Sequence, residues 1–317
     1  MFKLNIPSIK ILSIRSGVSE NFLQELLKNR DFKNQYIYDH DEISEPEKNK
    51  FARVAKKESE LYKFHLWLDA EIFKNDHEMP LNIVGGISKK SLRDAVKRHN
   101  RNVPFCFIKS DLKRFFESTP AKEIFSLFCW WSNCSKKVTT IITNSVSMPL
   151  WPVWSIWDWF LARWFNPSTR IAIWTNIDFF RKLSSYIWKK YKKYKPIVTF
   201  FIDDIGISLI TVDQKIIDEI ISDVTNFIWN LYQKLKHLSI NLEKTKPIII
   251  SNKNDHVDYL GTKIYMNKIE VSDKIQNKII NIRKKYLQSK NQNDKKHLWS
   301  QLTSLKHFKN LIKWVKK

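Results

Sequence analysis

The chain has 317 residues, 43% of them hydrophobic, and carries 55 lysines and arginines against 32 acids, a formal net charge of +23. That length and apolar content exclude a disordered tail and give enough core for two or three subdomains. The basic excess runs along the whole chain and points to a large anionic partner, nucleic acid before membrane surface. Cys106, Cys129 and Cys134 form no CxxC pair and no zinc-like cluster, which fits a reduced, cytoplasmic protein. The start, MFKLNIPSIKILSIRSG, has neither the long apolar core nor the cleavage site of a signal peptide. The most membrane-like window, VSMPLWPVWSIWDWFLARWF (146–165), carries Asp158, Arg163 and two prolines, so no spanning helix and no membrane partner are expected.

In chain order, VSENFLQELLKNR (18–30) predicts a helix capped by Ser19. A charged, Pro46-containing loop over 39–50 follows, then an amphipathic helix over 58–73. GGISKKSLRDAVKRH (85–99) predicts a glycine turn and a basic helix capped by Ser88 or Ser91. VPFCFIKSDLKRFF (103–116) starts as a buried strand and ends in a polar, basic turn that carries Asp111. Helices are predicted over 121–131, 136–145 and 171–191, and the stretch 151–164 between them holds five tryptophans. KPIVTFFIDDIGISLI (195–210) reads as two strands joined through a tight turn near Asp203, Asp204 and Gly206. A long helix over 213–237, short strands over 247–271 and a basic helical tail from Ser272 to Lys317 complete an α+β pattern with an antiparallel hairpin in the middle.

Two neighbouring carboxylates on an apolar hairpin repel each other and lose hydration, a cost on the order of several kcal/mol unless something compensates. Aspartate is also an ordinary turn residue, and Asp203 and Asp204 taken alone suit a turn as well as a site. A third acid, Asp111, stands at the end of another apolar strand that can lie beside the hairpin. Three carboxylates in one place are hard oxygen donors of the kind Mg²⁺ takes together with substrate phosphates. Two such ions activate a hydroxyl and stabilise a leaving pyrophosphate.

With these residues in view, the chain resembles bacterial reverse transcriptases of the retron and defence-associated (abortive-infection) branch over about residues 18–310. FIKSDLKRFFES resembles the first catalytic motif, FFIDD the YxDD motif, and NLEKTKPIII and VDYLGTKI the two motifs that follow. GGISKKSLRDAVKRH resembles the segment between fingers and palm. The resemblance implies a right-hand polymerase: a helical extension and start of the fingers over 1–57, fingers and an antiparallel-sheet palm over 58–271, and a short helical thumb over 272–317. It implies that Asp111, Asp203 and Asp204, with the main-chain oxygen of Leu112, hold two Mg²⁺ ions, or Mn²⁺ in their place. Phe116 matches a ring that meets the ribose 2′ position of an incoming dNTP, though plain core packing also suits it. Lys244 matches a lysine that protonates pyrophosphate, or is a surface lysine. Arg53 and Lys56 fall among the basic residues that grip the triphosphate. Leu260 and Gly261, in YLGT, match the primer grip.

The resemblance breaks in one segment. RWFNPSTRIAIWTN (163–176) occupies the place of the loop that supports template and nucleotide. Asn176 matches there, but the loop's glycine is missing and Arg170 intrudes. Phe201 replaces the YxDD tyrosine, and Arg114 stands where a further acid is expected. The expectation is a metal-dependent DNA polymerase of antiphage defence whose synthesis is protein-primed or not conventionally templated. The alternative is a catalytically silent, polymerase-like scaffold for a noncoding RNA or a partner protein. Expected partners are dNTPs, noncoding RNA or DNA product, and a second protein or second copy of the chain. Trp151, Trp154, Trp157 and Trp164 form a stripe suited either to that subunit contact or core or to base stacking.

Overall fold

The computed structural model describes residues 3–39, 52–88, 90–149, 159–235, 238–289 and 291–313. Most of the predicted charged loop, and Trp151, Trp154 and Trp157 of the aromatic stripe, lie outside the described residues. The chain divides into two compact units, each assembled from separated stretches: 1–89, 112–183 and 228–239 in the first, and 90–111, 184–227 and 240–317 in the second. Among the described residues no helix is long and apolar enough to cross a membrane.

The first unit is mainly helical. Several of its helices begin at a capping serine: Ser19 Oγ accepts from the Phe22 amide at 3.2 Å ahead of Glu20–Lys28, and Ser59 Oγ from Tyr62 at 3.1 Å ahead of Glu60–Phe73. An additional helix, Ile9–Ser16, closes on Gly17 in the left-handed conformation at φ +69°. The predicted 121–131 helix is regular over Ala121–Ser126 and widens into a π turn over Leu127–Trp131. Lys136–Val146 follows as predicted. The predicted 171–191 helix is two helices, Ser168–Thr175 and Ile177–Lys190, separated at Asn176, the second of them belonging to the second unit from residue 184 on. Asn176 is buried, and its side-chain amide donates to Ala172 O at 2.9 Å, closing the first helix.

The second unit is built around an antiparallel sheet. Its strands run in the order Ile197–Phe201, Asp204–Leu209, Phe105–Lys113, with Ser239–Ile240 and Lys246–Ile250 both pairing to the far side of Phe105–Lys113. Phe105 and Phe107 are fully buried on one face with Val96, Ile250, Val257 and Tyr259, each large side chain contributing about 2 kcal/mol of transfer free energy. A second sheet, His256–Tyr259, Thr262–Tyr265 and Lys268–Val271, is joined at its first turn by Leu260 (φ +49°) and Gly261 (φ +76°), a pair of positive φ values that suits a two-residue hairpin. The basic tail forms two helices, Asp273–Gln288 and Gln292–Lys313. The helix after the predicted glycine turn is Leu92–His99, capped by Ser91 rather than Ser88: the Ser91 amide donates to Asp94 Oδ2 at 2.7 Å.

Candidate active site

The predicted strand is longer than its sequence pattern suggests. Asp111 does not sit in a turn after the strand but within it, directly opposite Asp204 in the register of Phe105–Lys113 against Asp204–Leu209. Direct partners in an antiparallel pair share a face, with Cβ atoms about 5 Å apart. The hairpin closes Phe201 against Asp204, so its two turn residues are Ile202 and Asp203, and Asp204 already belongs to the second strand. All three predicted acids therefore gather at one end of one sheet.

Ile202 takes φ +61°. A β-branched residue is rarely found in the left-handed region, and it is held there against a cost of about 1–2 kcal/mol. The acid-bearing apex is thus locally strained.

Lys244 is brought to the same end. The turn Leu242–Lys244 follows the short strand Ser239–Ile240, and the Asn241 amide donates to the carbonyl of Asp111 at 2.9 Å. Lys244 Nζ lies 3.4 Å from Asp111 Oδ2, with the lysine side chain 64% exposed. The other oxygen, Asp111 Oδ1, is buried and accepts no hydrogen bond. The Asp204 carboxyl is perturbed: burial first, then the charge of Asp203, pushes it up to about 6, with Asp111 adding to the rise and Lys109 and Lys244 opposing it.

Lys109 was not among the predicted site residues. It stands two positions before Asp111 on the same strand, hence on the same face, and pairs with Gly206. That i, i+2 spacing in FIKSD is the signal that could have identified it.

Beneath the hairpin lies a buried polar network. His99 Nδ1 is 2.8 Å from Ser208 Oγ and its Nε2 is 2.7 Å from Thr199 Oγ1, which in turn is 3.3 Å from the Tyr259 hydroxyl. A Cβ on Gly206 would stand 2.8 Å from the Tyr259 ring and 3.1 Å from His99 Nε2. The glycine after the acidic pair is therefore required by packing, since only hydrogen fits above that ring.

Among the described residues, no group of three or more His, Cys, Asp or Glu side chains converges closely enough to form a ready-made metal cage. The donor chemistry still suits a hard divalent cation: all three groups are carboxylates, and Asp111 presents a buried oxygen with no partner.

The other predicted residues lie elsewhere. Leu112 follows Asp111 in the strand with its side chain buried. Leu260 and Gly261 form the hairpin turn described above, and a Cβ on Gly261 would meet Ile275 at 3.2 Å and Phe308 at 3.4 Å, so this turn packs closely on both tail helices. Phe116, Arg53, Lys56, Arg170 and Asn176 belong to the first unit. There the Arg163 guanidinium lies 5.6 Å from the Phe116 ring centre and is held by two 2.9 Å hydrogen bonds to Glu117. Lys56 Nζ donates to Gln35 O at 2.6 Å. Arg53 lines a concavity of about 430 Å³ with Asp31, Tyr38 and Met148. Arg170 bridges Asp69 at 2.7 Å and Asp76 at 3.2 Å and covers the Phe73 ring.

No protein-family model matches the chain, and no curated protein does. Among solved structures it is similar to apo telomerase from Candida tropicalis truncated from its C-terminal domain, at 13% identity and a TM-score of 0.42 over 67% of this chain and 45% of that one. It is also similar to telomerase from Candida albicans in complex with a TWJ fragment of telomeric RNA, at 9% identity and a TM-score of 0.44 over 93% of this chain and 59% of that one. The chain thus spans about half the length of these neighbours, and likenesses of this depth carry no conclusion about activity.

Proposed function

We propose that this protein is a metal-dependent, reverse-transcriptase-like DNA polymerase with fingers, palm and thumb, acting in antiphage defence. The observation that carries the reading is the register that sets Asp111 directly across from Asp204 at the hairpin apex, beside Asp203. A purely structural turn has no use for a third carboxylate on the neighbouring strand, and the repulsion among the acids is a standing cost. Asp111, Asp203 and Asp204, with the Leu112 carbonyl, would hold the two cations. When bound, those ions supply Lewis-acid activation of the attacking hydroxyl and neutralise charge on the leaving pyrophosphate. Lys244, exposed and beside Asp111, is the chain's own proton donor for that leaving group. Defence is supported by the sequence resemblance alone.

The test is incorporation of labelled dNTPs by purified protein with Mg²⁺. The reading predicts labelling by wild type and none by the Asp203→Ala, Asp204→Ala variant; equal labelling by both overturns it. Phe116 is assigned to nucleotide selection, so Phe116→Ala is expected to raise rNTP relative to dNTP incorporation by roughly tenfold or more, the effect of removing a steric contact of about 1–3 kcal/mol. An unchanged ratio assigns Phe116 to the core.

A second reading, a polymerase-like RNA-binding scaffold without chemistry, is favoured by one specific feature. Arg170, in the segment that matches the template loop, is engaged with Asp69 and Asp76 inside its own unit. A scaffold of this kind binds RNA equally well with or without its carboxylates, which separates it from the enzyme.

A further inference from the structure

The last turn of the helix Ile177–Lys190 and the short helical turn after it read WKKYKKYK (188–195), with five lysines and three aromatic residues in eight positions. This segment lies in the second unit, at the end of the sheet remote from the acids. The Tyr194 carbonyl accepts from the Ile210 amide at 2.9 Å, and the Lys195 carbonyl accepts from Arg101 Nη2 at 2.7 Å. Ile210 is six residues along the strand direction from Asp204, about 20 Å at the rise of a β-strand. The segment is therefore no part of the carboxylate site.

Apart from Lys190, its lysines are left uncompensated by the neighbours that could neutralise them. On the adjoining helix Gln214–Leu235, Asp223 is taken by Lys190 and by the Tyr191 hydroxyl, and Glu219 lies 3.4 Å from Lys190 Nζ. Asp218 accepts from Gln214, and Asp213 accepts from the Lys215 amide. Among the described residues, no carboxylate pairs with Lys189, Lys192, Lys193 or Lys195, and all four side chains are exposed.

The same turn presents rings. Trp188 is 53% exposed and lies 5.3 Å from Lys192 Nζ. Lys193 Nζ lies 5.5 Å from the centre of the half-buried Tyr194 ring. Lys195 holds φ +46° before Pro196, and Arg101 Nη2 donates to its carbonyl at 2.7 Å. Cations spaced along one turn, with a half-exposed indole ring among them, match alternating phosphates and unpaired bases.

We propose that the 188–195 turn is a binding surface for single-stranded nucleic acid, separate from the carboxylate site. Its lysines take the phosphates and Trp188 stacks on an unpaired base. The surface stands independently of polymerase activity.

The test uses the full chain and a fluorescent dT₂₀ or U₂₀ oligonucleotide, with binding measured across a range of NaCl concentrations. Four phosphate contacts on a single strand contribute about 3 to the slope of log K against log salt. The variant with serine at Lys189, Lys192, Lys193 and Lys195 is expected to lose that much slope and at least tenfold in affinity, with an unchanged circular dichroism spectrum. Trp188→Ala, which removes no charge, is expected to weaken single-strand binding severalfold while leaving binding to a duplex of the same length unchanged. The Asp203→Asn, Asp204→Asn variant is expected to keep the wild-type slope, so loss of polymerase activity does not bear on this result. A wild-type slope in the four-lysine variant overturns the proposal. So does equal loss of duplex and single-strand binding in Trp188→Ala, or binding to phosphatidylserine vesicles with none to either oligonucleotide. Comparing dT₂₀ with U₂₀ tells which kind of strand the surface prefers.

Discussion

Ile202 is a residue in the wrong chemistry for its conformation, a β-branched side chain at φ +61° in a two-residue turn. Turns of this kind ordinarily place glycine where φ is positive. Replacing Ile202 by glycine is expected to stabilise the protein by about 1 kcal/mol, the relief of left-handed strain less the backbone entropy glycine adds to the unfolded chain. Urea unfolding of the two proteins measures it; a variant less stable than wild type shows that Ile202 is held by packing rather than strained. His99 gives a second residue-scale expectation. Full burial, with Arg101 and Arg98 nearby, pushes its imidazole down to about 3, against about 6.5 in an unfolded chain. The unfolded state then binds the proton first as pH falls. Stability from the neutral ring is complete above about pH 6.5 and is lost progressively toward pH 3, at up to about 1.4 kcal/mol per pH unit. Denaturant unfolding at several pH values is expected to show a shallower dependence for His99→Gln than for wild type, whatever the variant's absolute stability.

At the scale of elements, the acidic hairpin and the glycine behind it form one unit of design. Gly206 leaves room for Tyr259, and Tyr259 ends the strand that runs into the Leu260–Gly261 turn. Gly206→Ala is expected to destabilise the protein by about 1–3 kcal/mol through overpacking against a buried ring that cannot swing away. Tyr259→Leu in the same background should recover part of that loss, and a double variant no better than the single one contradicts the contact. The hairpin, the helix capped by Ser19, the amphipathic helix that ends at Phe73 and the short strands within 247–271 were legible from apolar runs and turn residues. The extent of the Asp111 strand was not. Lys109, Ser110 and Asp111 look like a loop because they are polar, yet Ser110 is buried and satisfied by the Thr245 hydroxyl at 2.7 Å, while Lys109 and Asp111 take the half-exposed face. The break at Asn176 was missed for a similar reason: apolar periodicity continues through it, and only the side-chain bond to Ala172 marks the end of a helix.

At the scale of the molecule, three acids separated by some ninety residues in the chain meet because one long strand lies against the second strand of a hairpin. That convergence was legible, since Asp111, Asp203 and Asp204 each close or open an apolar run. Lys244 was legible only through the resemblance, and its place beside Asp111 depends on a three-residue turn that composition does not mark. The aromatic stripe from Trp151 to Trp157 lies outside the described residues, so its two readings stand as they did; Trp164 is half exposed with φ +77°. The net charge of +23 is a property of the whole chain, and it predicts steep salt dependence for any nucleic-acid complex the protein forms. The proposed role of the carboxylates at the hairpin apex is narrower: they would hold divalent cations. The most direct measurement counts Mn²⁺ bound per chain, from loss of the free-ion paramagnetic resonance signal, in the presence of a non-hydrolysable dNTP. The account predicts two ions bound to wild type and fewer than one to the Asp111→Asn, Asp204→Asn variant. Equal counts in the two proteins, or no binding to wild type, contradict it.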